Sequence, residues 1–384
     1  MRSSSGAHFI ALDHVRALAA FMVFTWHFTH AANGYPVPFD YVPTLFPFSI
    51  LDEGHTGVAL FMTLSGYLFT KLLDGKSIDY RAFIWNRALR LFPLLVVVVL
   101  IVGIRQFVNG QSLSSYAYSI AKGAIFPSLP NGGWSITVEF HYYIILPLFL
   151  WMLAKSKLWL LSVIAAAISL RLFLYHEKGE IQSLAYWTII GRIDQFVLGM
   201  FFYQFRSYIA NRHIIALLII VVFTIIYWYF DFQGGFYKNP SYPSPSPLWI
   251  ILPTIEGFAY AIGIAWYDNS FSHSKSGLSK FIGRIGEYSY SIYLLHFFVV
   301  FYAAKFVNER VMDISNFYVA CLWSVVFFVL MTIPGYFSFR FIEAPFLKLR
   351  KSYVKTPYGG RETQGINAPQ RASEDPRKRR AAEL

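Results

Sequence analysis

The sequence predicts an all-α protein, a helix bundle that crosses a membrane many times. Of its 384 residues, 56% are hydrophobic and 14% are charged, whereas soluble domains carry about 25% charged residues. Apolar stretches of about 20 residues, the length that a transmembrane helix needs, recur along the chain. The formal net charge is +12, but the cations lie in short segments between apolar stretches and in one tail, so we expect no nucleic-acid partner.

About ten stretches have the length and hydrophobicity of membrane spans. The first lacks the small-residue cleavage site that ends a secretory signal peptide, so we expect it to remain as the first helix. The fourth is interrupted by Glu139, His141 and Pro147, and the sixth by Arg192 and Asp194. In chain order, the predicted spans are 9–30, 55–73, 91–108, 134–154, 158–175, 186–205, 214–230, 248–267, 285–305 and 317–340.

Loop charges indicate the orientation of the bundle. Connections on the side of the two termini are rich in Lys and Arg, whereas the opposite connections hold only Lys122, Lys178, Lys238 and Arg310. Because cytoplasmic loops carry the excess of Lys and Arg, both termini are predicted to be cytoplasmic, in a multi-pass protein of the cytoplasmic (inner) cell membrane. The outward loops are then 31–54, 109–133 and 231–247, which are rich in Pro, Gly, Tyr and Asn.

Composition divides the chain into two parts. Residues 1–348 form the predicted membrane domain. Residues 349–384 are polar and basic and end in PRKRRAAEL, so we expect a disordered cytoplasmic tail. Its basic cluster either contacts anionic lipid or only reinforces the topology. The sequence does not indicate an oligomeric state.

The first span carries ionisable residues at membrane depth, which marks it as a candidate functional element. Arg16 and His27 are eleven residues apart, or three helical turns plus about 20°. They therefore project from one helix face, about 16 Å apart along the axis. We expect a fixed cation near the cytoplasmic end and a titratable imidazole deeper in the membrane. The alternative is that Arg16 reaches lipid headgroups and His27 is an ordinary buried histidine.

Arg87 and Arg90, in the segment NRALR, form a second candidate site at the cytoplasmic end of the third span. Their spacing places two guanidinium groups on one helix face. Guanidinium groups bind phosphate oxygens in pairs of hydrogen bonds. Together with Arg16 they predict a phosphate-rich ligand, although ordinary arginines next to a membrane are the alternative.

Glu139 lies just inside the outer start of the fourth span, in WSITVEF. It is not part of a capping box, because Ser135 lies four residues earlier and the box needs three. A carboxylate here either orients a histidine or binds an acceptor hydroxyl; the alternative is an acidic residue favoured near a helix N-terminus. His141 faces elsewhere and is not a candidate.

Other ionisable residues in the spans have several interpretations. Arg192 and Asp194 are two apart and cannot pair with each other on a regular helix. Each therefore needs a partner from another helix, for structure or for acceptor binding. His296 in SYSIYLLH is a second membrane histidine, with either a chemical or a structural role. Glu343 either neutralises Arg16 or Arg90 or pairs locally with Arg340.

Several kinds of site are excluded. Cys321 is the only cysteine, so an internal disulfide and a cysteine metal cluster are ruled out. The sequence contains no HExxH, Walker or dinucleotide-binding motif, and the segment LSGYL around Ser65 lacks the G-x-S-x-G pattern of a nucleophile elbow. We expect no metal ion.

Six motifs in order give the chain a resemblance to a known family. They are LDHVRALAAFMVFTWH, FMTLSGYLF, RALR, WSITVEF, SYSIYLLH and RFIEAPF. With these motifs on a ten-span layout, residues from about Leu12 to Lys348 resemble the acyltransferase 3 family of integral-membrane acyltransferases. The family often has glycine where this chain has His14 and Ala17, which are small departures. We see no fused C-terminal hydrolase-like domain and expect only the membrane module.

The resemblance implies an activity and its residues. It implies transfer of a short acyl group, usually acetyl, from cytoplasmic acyl-CoA to a hydroxyl of a sugar or lipid-linked glycan, such as an exopolysaccharide or O-antigen. His27 is implied as the catalytic base, Arg87 and Arg90 as donor-binding residues, and Arg16 as needed for activity. Glu139 is a second catalytic candidate, which orients His27 or the acceptor.

Two mechanisms and two other functions stay open. His27 acts either as a general base or as a nucleophile that forms an acyl-histidine intermediate. The first rival function is a transporter or flippase for a glycan or glycolipid, in which the membrane charges line a path. The second is a non-catalytic membrane scaffold in which the histidines are structural.

Overall fold

A computed structural model describes residues 9–31 and 33–355, which are helical almost throughout. The helices are α1 (Ile10–Thr29), α2 (Ser49–Asp52), α3 (Gly57–Leu73), α4 (Tyr80–Val108), α5 (Leu113–Ile125), α6 (Gly133–Lys155), α7 (Trp159–Lys178), α8 (Gln182–Trp187), α9 (Ile189–Gln204), α10 (Arg206–Ile209), α11 (His213–Phe232), α12 (Gly235–Lys238), α13 (Leu252–Ser270), α14 (Gly277–Glu287), α15 (Ser289–Leu295), α16 (Val300–Phe306), α17 (Phe317–Leu330), α18 (Thr332–Ser338) and α19 (Ala344–Leu347). Short 3₁₀ segments are Phe46–Phe48, Gly54–Thr56, Pro247–Ile250 and His296–Phe298, and π segments are Val307–Val311 and Phe339–Glu343. Two short strands, β1 (Ser77–Ile78) and β2 (Val354–Lys355), pair antiparallel.

The predicted multi-pass helical architecture is confirmed, and helices lie at all ten predicted positions. Within the described chain, six helices are long and apolar enough to cross a membrane. A seventh crossing is counted if Ser289–Phe298 and Val300–Val311, which are bent by 58°, form one span. The number of ten crossings and the cytoplasmic placement of both termini therefore stay predictions.

Helix α3 lies at the centre of the bundle, where it packs against α1, α9 and α13. Its most apolar window is 78% buried inside the protein, whereas the corresponding window of α4 is 28% buried. The outward surfaces of α4, α7 and α11 are instead available to lipid. A functional residue on α1 or α3 consequently faces other helices.

Two glycines allow α3 and α9 to approach closely. A Cβ atom added to Gly66 would lie 1.9 Å from the carbonyl oxygen of Phe196, and one added to Gly199 would lie 2.1 Å from that of Thr63. Small residues at such positions let membrane helices pack backbone to backbone. This contact fixes α3, and with it one wall of the candidate site.

Buried ion pairs join α9 to α7 and to α13. Asp194 accepts a hydrogen bond from Arg171 on α7 at 2.7 Å, and Arg192 lies 3.3 Å from Glu256 on α13. All four side chains are almost completely buried. The prediction that Arg192 and Asp194 each pair with another helix is confirmed. Because breaking a buried pair is strongly destabilising, these contacts hold α7, α9 and α13 together.

The predicted outward loops contain more structure than expected. Helix α5 occupies much of the predicted loop 109–133. The other two loops pack on each other: the Glu53 carboxylate accepts a hydrogen bond from the backbone N–H of Phe236 at 3.1 Å, and Lys238 lies 3.3 Å from Asp40. These loops form a cover at one end of the bundle.

The first residues of the predicted tail are packed against α4. The Asn86 side chain donates a hydrogen bond to the carbonyl oxygen of Lys351 and accepts one from its N–H, at 2.7 and 2.9 Å. Tyr353 is buried with its ring 5.5 Å from that of Phe83. Residues 350–355 are thus packed on the helix bundle, although they lie past the predicted boundary at residue 349. The remainder of the predicted tail lies outside the described residues.

Candidate functional site

Two adjacent cavities contain the residues that the sequence singles out. The arginine cavity, of about 170 Å³, is lined by Arg16, Arg87, Arg90 and Arg350 together with Glu139. The histidine chamber, of about 500 Å³, is lined by three histidines and many aromatic rings. Small-molecule sites typically have volumes of about 300–1,000 Å³, so the histidine chamber alone has the size of such a site.

The structure brings Arg16, Arg87 and Arg90 together although they come from distant parts of the chain. Arg16 lies on α1 and the other two on α4. A fourth guanidinium group, from Arg350, enters the same cavity from the segment that follows α19. Three carboxylates, of Asp13, Glu139 and Glu287, also line the cavity.

Two of the four arginines have a carboxylate partner. Arg16 pairs with Asp13, one turn earlier on α1. Arg90 pairs with Glu343, which also accepts a hydrogen bond from Ser291. Of the three partners predicted for Glu343, the structure therefore selects Arg90. This pair joins α4 to the last helical segment, so Arg90 has a structural contact as well as a position in the cavity.

Glu139 faces the arginine cavity and not the histidine chamber. Its carboxylate accepts hydrogen bonds from the hydroxyl groups of Ser65, at 3.0 Å, and Tyr143. The sequence left open that Glu139 orients His27. The structure does not bring the two together, because their side chains line different cavities. The reason is the rotation of α6, which packs Glu139 toward α3.

His27 lies in the chamber beside a second histidine. Its Nδ1 atom is 2.8 Å from the carbonyl oxygen of Val23 and 3.3 Å from Nε2 of His296. Nδ1 of His296 lies 2.6 Å from the carbonyl oxygen of Tyr293. Carbonyl oxygens only accept hydrogen bonds, so each Nδ1 carries a hydrogen.

These contacts define what each ring can do. With its hydrogen on Nδ1, His296 presents the lone pair of Nε2 toward Nδ1–H of His27. His27 in turn keeps the lone pair on its own Nε2. The half-buried ring of His27 remains accessible from the chamber. His27 is thus arranged as a proton acceptor, with His296 behind it.

The other two chamber histidines are tied to the loop cover. His30 lies 2.9 Å from the carbonyl oxygen of Val37 and 3.3 Å from Asp52, and His55 lies 2.8 Å from Glu53. Burial raises the pKa of Glu53 to about 7, so protonated and ionised forms are both accessible near neutral pH. These contacts give His30 and His55 a structural role at the outer end of the chamber.

Aromatic side chains form most of the chamber wall. Trp26 stacks on Tyr237, with planes 4° apart and centroids separated by 5.9 Å. The ring of Phe297 packs edge-on against His27, with a centroid separation of 4.6 Å. Flat apolar walls with a few polar groups are typical of sites for small organic ligands. Further aromatic lining comes from Phe39, Trp134, Tyr186, Trp187 and Phe301.

The two cavities meet at shared wall residues. Val58 and Tyr293 line both of them. The hydroxyl oxygen of Tyr293 lies 2.9 Å from Oγ of Ser135, which lines the arginine cavity. Tyr293 therefore stands between the cationic cavity and the chamber that contains His27.

Sequence reasoning missed the role of three residues. The contact of His296 with His27 joins α1 to a segment 269 residues later, and no sequence spacing encodes it. Arg350 lies beyond the last span, in the predicted tail. Arg171 was detectable, because a charged residue inside an apolar span is itself a reason to look for a partner.

A metal centre is not apparent in the part of the chain that the structure describes. No group of three or more His, Cys, Asp or Glu side chains there is arranged to hold a metal ion. The chemistry available in the two cavities is that of guanidinium, imidazole, carboxylate and hydroxyl groups.

Known proteins share this sequence pattern. Residues 9–335 match the family model described as an acyltransferase domain. YrhL of Bacillus subtilis (strain 168), provisionally named a peptidoglycan O-acetyltransferase, is 25% identical over 384 residues, covering 87% of this chain and 54% of that protein. The peptidoglycan O-acetyltransferase OatA of Listeria monocytogenes serovar 1/2a is 24% identical over 392 residues, covering 88% and 56%.

A third relative is SAR0937 of Staphylococcus aureus (strain MRSA252), provisionally named an O-acetyltransferase. It is 24% identical over 363 residues, covering 79% of this chain and 56% of that protein. The chain spans about half the length of the curated relatives it matches. No solved structure matches it. The resemblance carried by the six sequence motifs is confirmed, because the family match covers most of the sequence: the chain belongs to the acyltransferase 3 family of membrane acyltransferases.

Proposed function

We propose that the protein is a membrane O-acyltransferase that moves a short acyl group, most simply acetyl, from cytoplasmic acyl-CoA to a hydroxyl group of a glycan. One observation carries the proposal: a cavity with four arginines and a chamber that contains His27 share Val58 and Tyr293 in their walls. An acyl donor with phosphates at one end and a thioester at the other matches that pair of environments.

The donor is proposed to bind with its nucleotide phosphates in the arginine cavity. Guanidinium groups hold phosphate oxygens through charge-assisted hydrogen bonds. The flexible pantetheine arm then passes Tyr293 toward the chamber. Arg16 and His27 are separated by about 16 Å of helix axis, which is comparable with the reach of the extended arm.

The transfer step needs a base at the acceptor hydroxyl. Nε2 of His27 takes the hydroxyl proton while the oxygen attacks the thioester carbonyl carbon. The carbon–sulfur bond breaks, the ester remains on the acceptor, and the proton passes from His27 to the departing sulfur to give the free CoA thiol. In the alternative mechanism, Nε2 attacks the thioester first and an acyl-histidine forms.

The proposed acceptor is a sugar, free or lipid-linked, in the histidine chamber. The names of YrhL and OatA make peptidoglycan the first glycan to test. Exopolysaccharide and O-antigen sugars are the other candidates from the sequence. Glu139 is proposed to act from the donor side of Tyr293, where its carboxylate is held by Ser65 and Tyr143.

The experiment is an acetyl-transfer assay on the full chain in proteoliposomes. Free CoA thiol is measured together with the mass of the glycan, for the wild type, His27→Ala and the control His141→Ala, a half-buried histidine outside both cavities. We expect His27→Ala to abolish both signals and His141→Ala to retain them. Normal acetylation by His27→Ala would overturn the proposed chemistry, and glycan movement without thiol release would favour a transporter.

A further inference from the structure

The four arginines of the arginine cavity are not equivalent. Arg16 and Arg90 are each neutralised by a carboxylate within the protein, Asp13 and Glu343 respectively. No carboxylate within residues 9–31 and 33–355 lies at ion-pair distance from Arg87 or Arg350. Two cations in one cavity thus lack an ionic partner in the described chain.

The unpaired guanidinium groups are also short of hydrogen-bond acceptors. Nε of Arg87 and Nε of Arg350 are both buried, and neither has a hydrogen-bond partner in the described structure. Arg87 instead lies over two aromatic rings, 5.1 Å from the centroid of Phe69 and 5.6 Å from that of Phe83. Buried donors without acceptors are rare in native proteins and call for an explanation.

The positive charges of neighbouring arginines act on the guanidinium group of Arg350. Burial and, to a smaller extent, the positive charges of Arg87 and Arg90 lower the pKa of Arg350 to about 10. Glu139 also lines this cavity, but it lies at ion-pair distance from neither Arg87 nor Arg350, and one of its carboxylate oxygens accepts hydrogen bonds from Ser65 and Tyr143. An anion placed between Arg87 and Arg350 would relieve the repulsion between them.

Specific contacts hold Arg350 in this position. The next residue, Lys351, is fixed by both of its backbone groups to the Asn86 side chain on α4. Farther along, the N–H of Asp79 donates to the carbonyl oxygen of Tyr353 at 2.8 Å, and β2 pairs with β1. The segment 350–355 is therefore a strap across the start of α4, and the arginine at its beginning points into the cavity.

We propose that Arg350 is a phosphate-binding residue of the donor site, acting with Arg87, and that Arg16 and Arg90 mainly build the wall. This inference rests on the proposed acyltransferase function and assigns a binding role that the sequence motifs do not contain. A phosphate group offers several acceptor oxygens, so two guanidinium groups can each donate to it, including through the Nε atoms that lack partners here.

The test compares Arg350→Ala with Lys351→Ala in the full chain in nanodiscs of neutral phosphatidylcholine. Each variant loses one positive charge, and the two positions are adjacent in the chain. The Lys351 side chain, however, is exposed and lines neither cavity. Binding of CoA and of adenosine 3′,5′-bisphosphate is measured by calorimetry. Losing hydrogen bonds to a charged ligand is expected to weaken binding by about 10- to 100-fold in Arg350→Ala, with little change in Lys351→Ala.

A second substrate separates phosphate binding from general damage. S-acetylpantetheine keeps the thioester arm and lacks the nucleotide phosphates. Its turnover is expected to be the same in Arg350→Ala and in the wild type, whereas KM for acetyl-CoA rises in the variant. If Arg350→Ala folds poorly, Arg350→Lys keeps the charge without the planar fork and is expected to give an intermediate affinity.

The outcomes distinguish this inference from the function on which it rests. Equal CoA affinity for Arg350→Ala and the wild type overturns the role of Arg350 and leaves the acyltransferase proposal intact. The same result in neutral lipid is expected if the cavity holds an anionic lipid headgroup instead of a nucleotide. A wild-type protein that neither binds CoA nor consumes acetyl-CoA overturns the proposed function itself.

Discussion

Nε2 of His296 lies 3.3 Å from Nδ1 of His27, although the two residues are 269 positions apart in the chain. Each Nδ1 faces a backbone carbonyl oxygen of its own helical segment. Both rings are consequently held in one orientation, and the lone pair of His296 faces the hydrogen of His27. When His27 takes a proton, this contact places an acceptor behind the new positive charge.

The first prediction concerns this contact. His296→Leu is expected to lower kcat by about 10- to 100-fold, less than the roughly 10²–10⁴-fold contribution of general-base catalysis itself, because His27 remains but loses the acceptor that faces its Nδ1–H. KM for acetyl-CoA should stay near the wild-type value, since His296 does not line the arginine cavity. The measurement is the steady-state rate of CoA thiol release at several pH values.

Two amide variants provide the matched controls. His296→Gln places an amide oxygen near the position of the missing Nε2 and should recover part of kcat. His296→Asn is too short to do so and should resemble His296→Leu. If all three variants lose activity only in proportion to the folded protein recovered, His296 has a structural role and the positioning role is wrong.

Contacts that follow from local helix geometry could be predicted from the sequence. Arg192 and Asp194 are two apart on a helix, so they cannot pair with each other, and both found partners on other helices. A charged side chain buried in a helix bundle needs a partner of opposite charge, so these pairs could be expected without knowing how the helices pack. The same logic limited the partners of Glu343 to three, and the structure selected Arg90.

Other parts of the site depend on packing that the sequence does not encode locally. Helix α6 is apolar on most sides, so its pattern does not indicate which face turns inward. As a result, the cavity that Glu139 faces could not be derived. The position of Arg350 depends on pairing between β1 and β2, strands of two residues each, which are too short to produce a pattern.

A second prediction separates the two arginines of the RALR motif. Arg90→Met breaks the pair with Glu343, whose side chain is 1% exposed, and leaves a buried carboxylate without its cation. The expected loss of stability is about 3–5 kcal/mol. It is measured as a lower thermal unfolding midpoint in detergent. Arg87→Met breaks no ion pair in the described chain and should mainly weaken CoA binding.

The double variant tests the cause of that loss. Arg90→Met with Glu343→Met removes both charges and leaves side chains of similar volume, so it should be more stable than Arg90→Met alone. If the double variant is less stable than the single one, the hydrogen bond from Ser291 to Glu343 matters more than the ion pair. In that case the lost ion pair does not account for the lower stability of Arg90→Met.

The last prediction concerns the packing that supports the site. Gly66→Ala would place a methyl group 1.9 Å from a backbone oxygen on α9, and a backbone cannot move aside as a flexible side chain can. Overpacking of this kind typically costs about 1–3 kcal/mol. Gly263→Ala is the matched control, since it also lies in a helix and its Cβ would meet nothing within 4 Å.

The unfolding midpoints of the two glycine variants should therefore shift in opposite directions. Replacing a helical glycine without a clash stabilises a helix by about 0.5–1 kcal/mol, so Gly263→Ala should raise the unfolding midpoint slightly. Gly66→Ala should lower it and also reduce acetyl transfer, because α3 carries Val58 and Ser65 into the two cavities. Equal midpoints for the two variants would mean that α3 and α9 are farther apart than this packing requires, and Val58 would then no longer be fixed where the cavities meet.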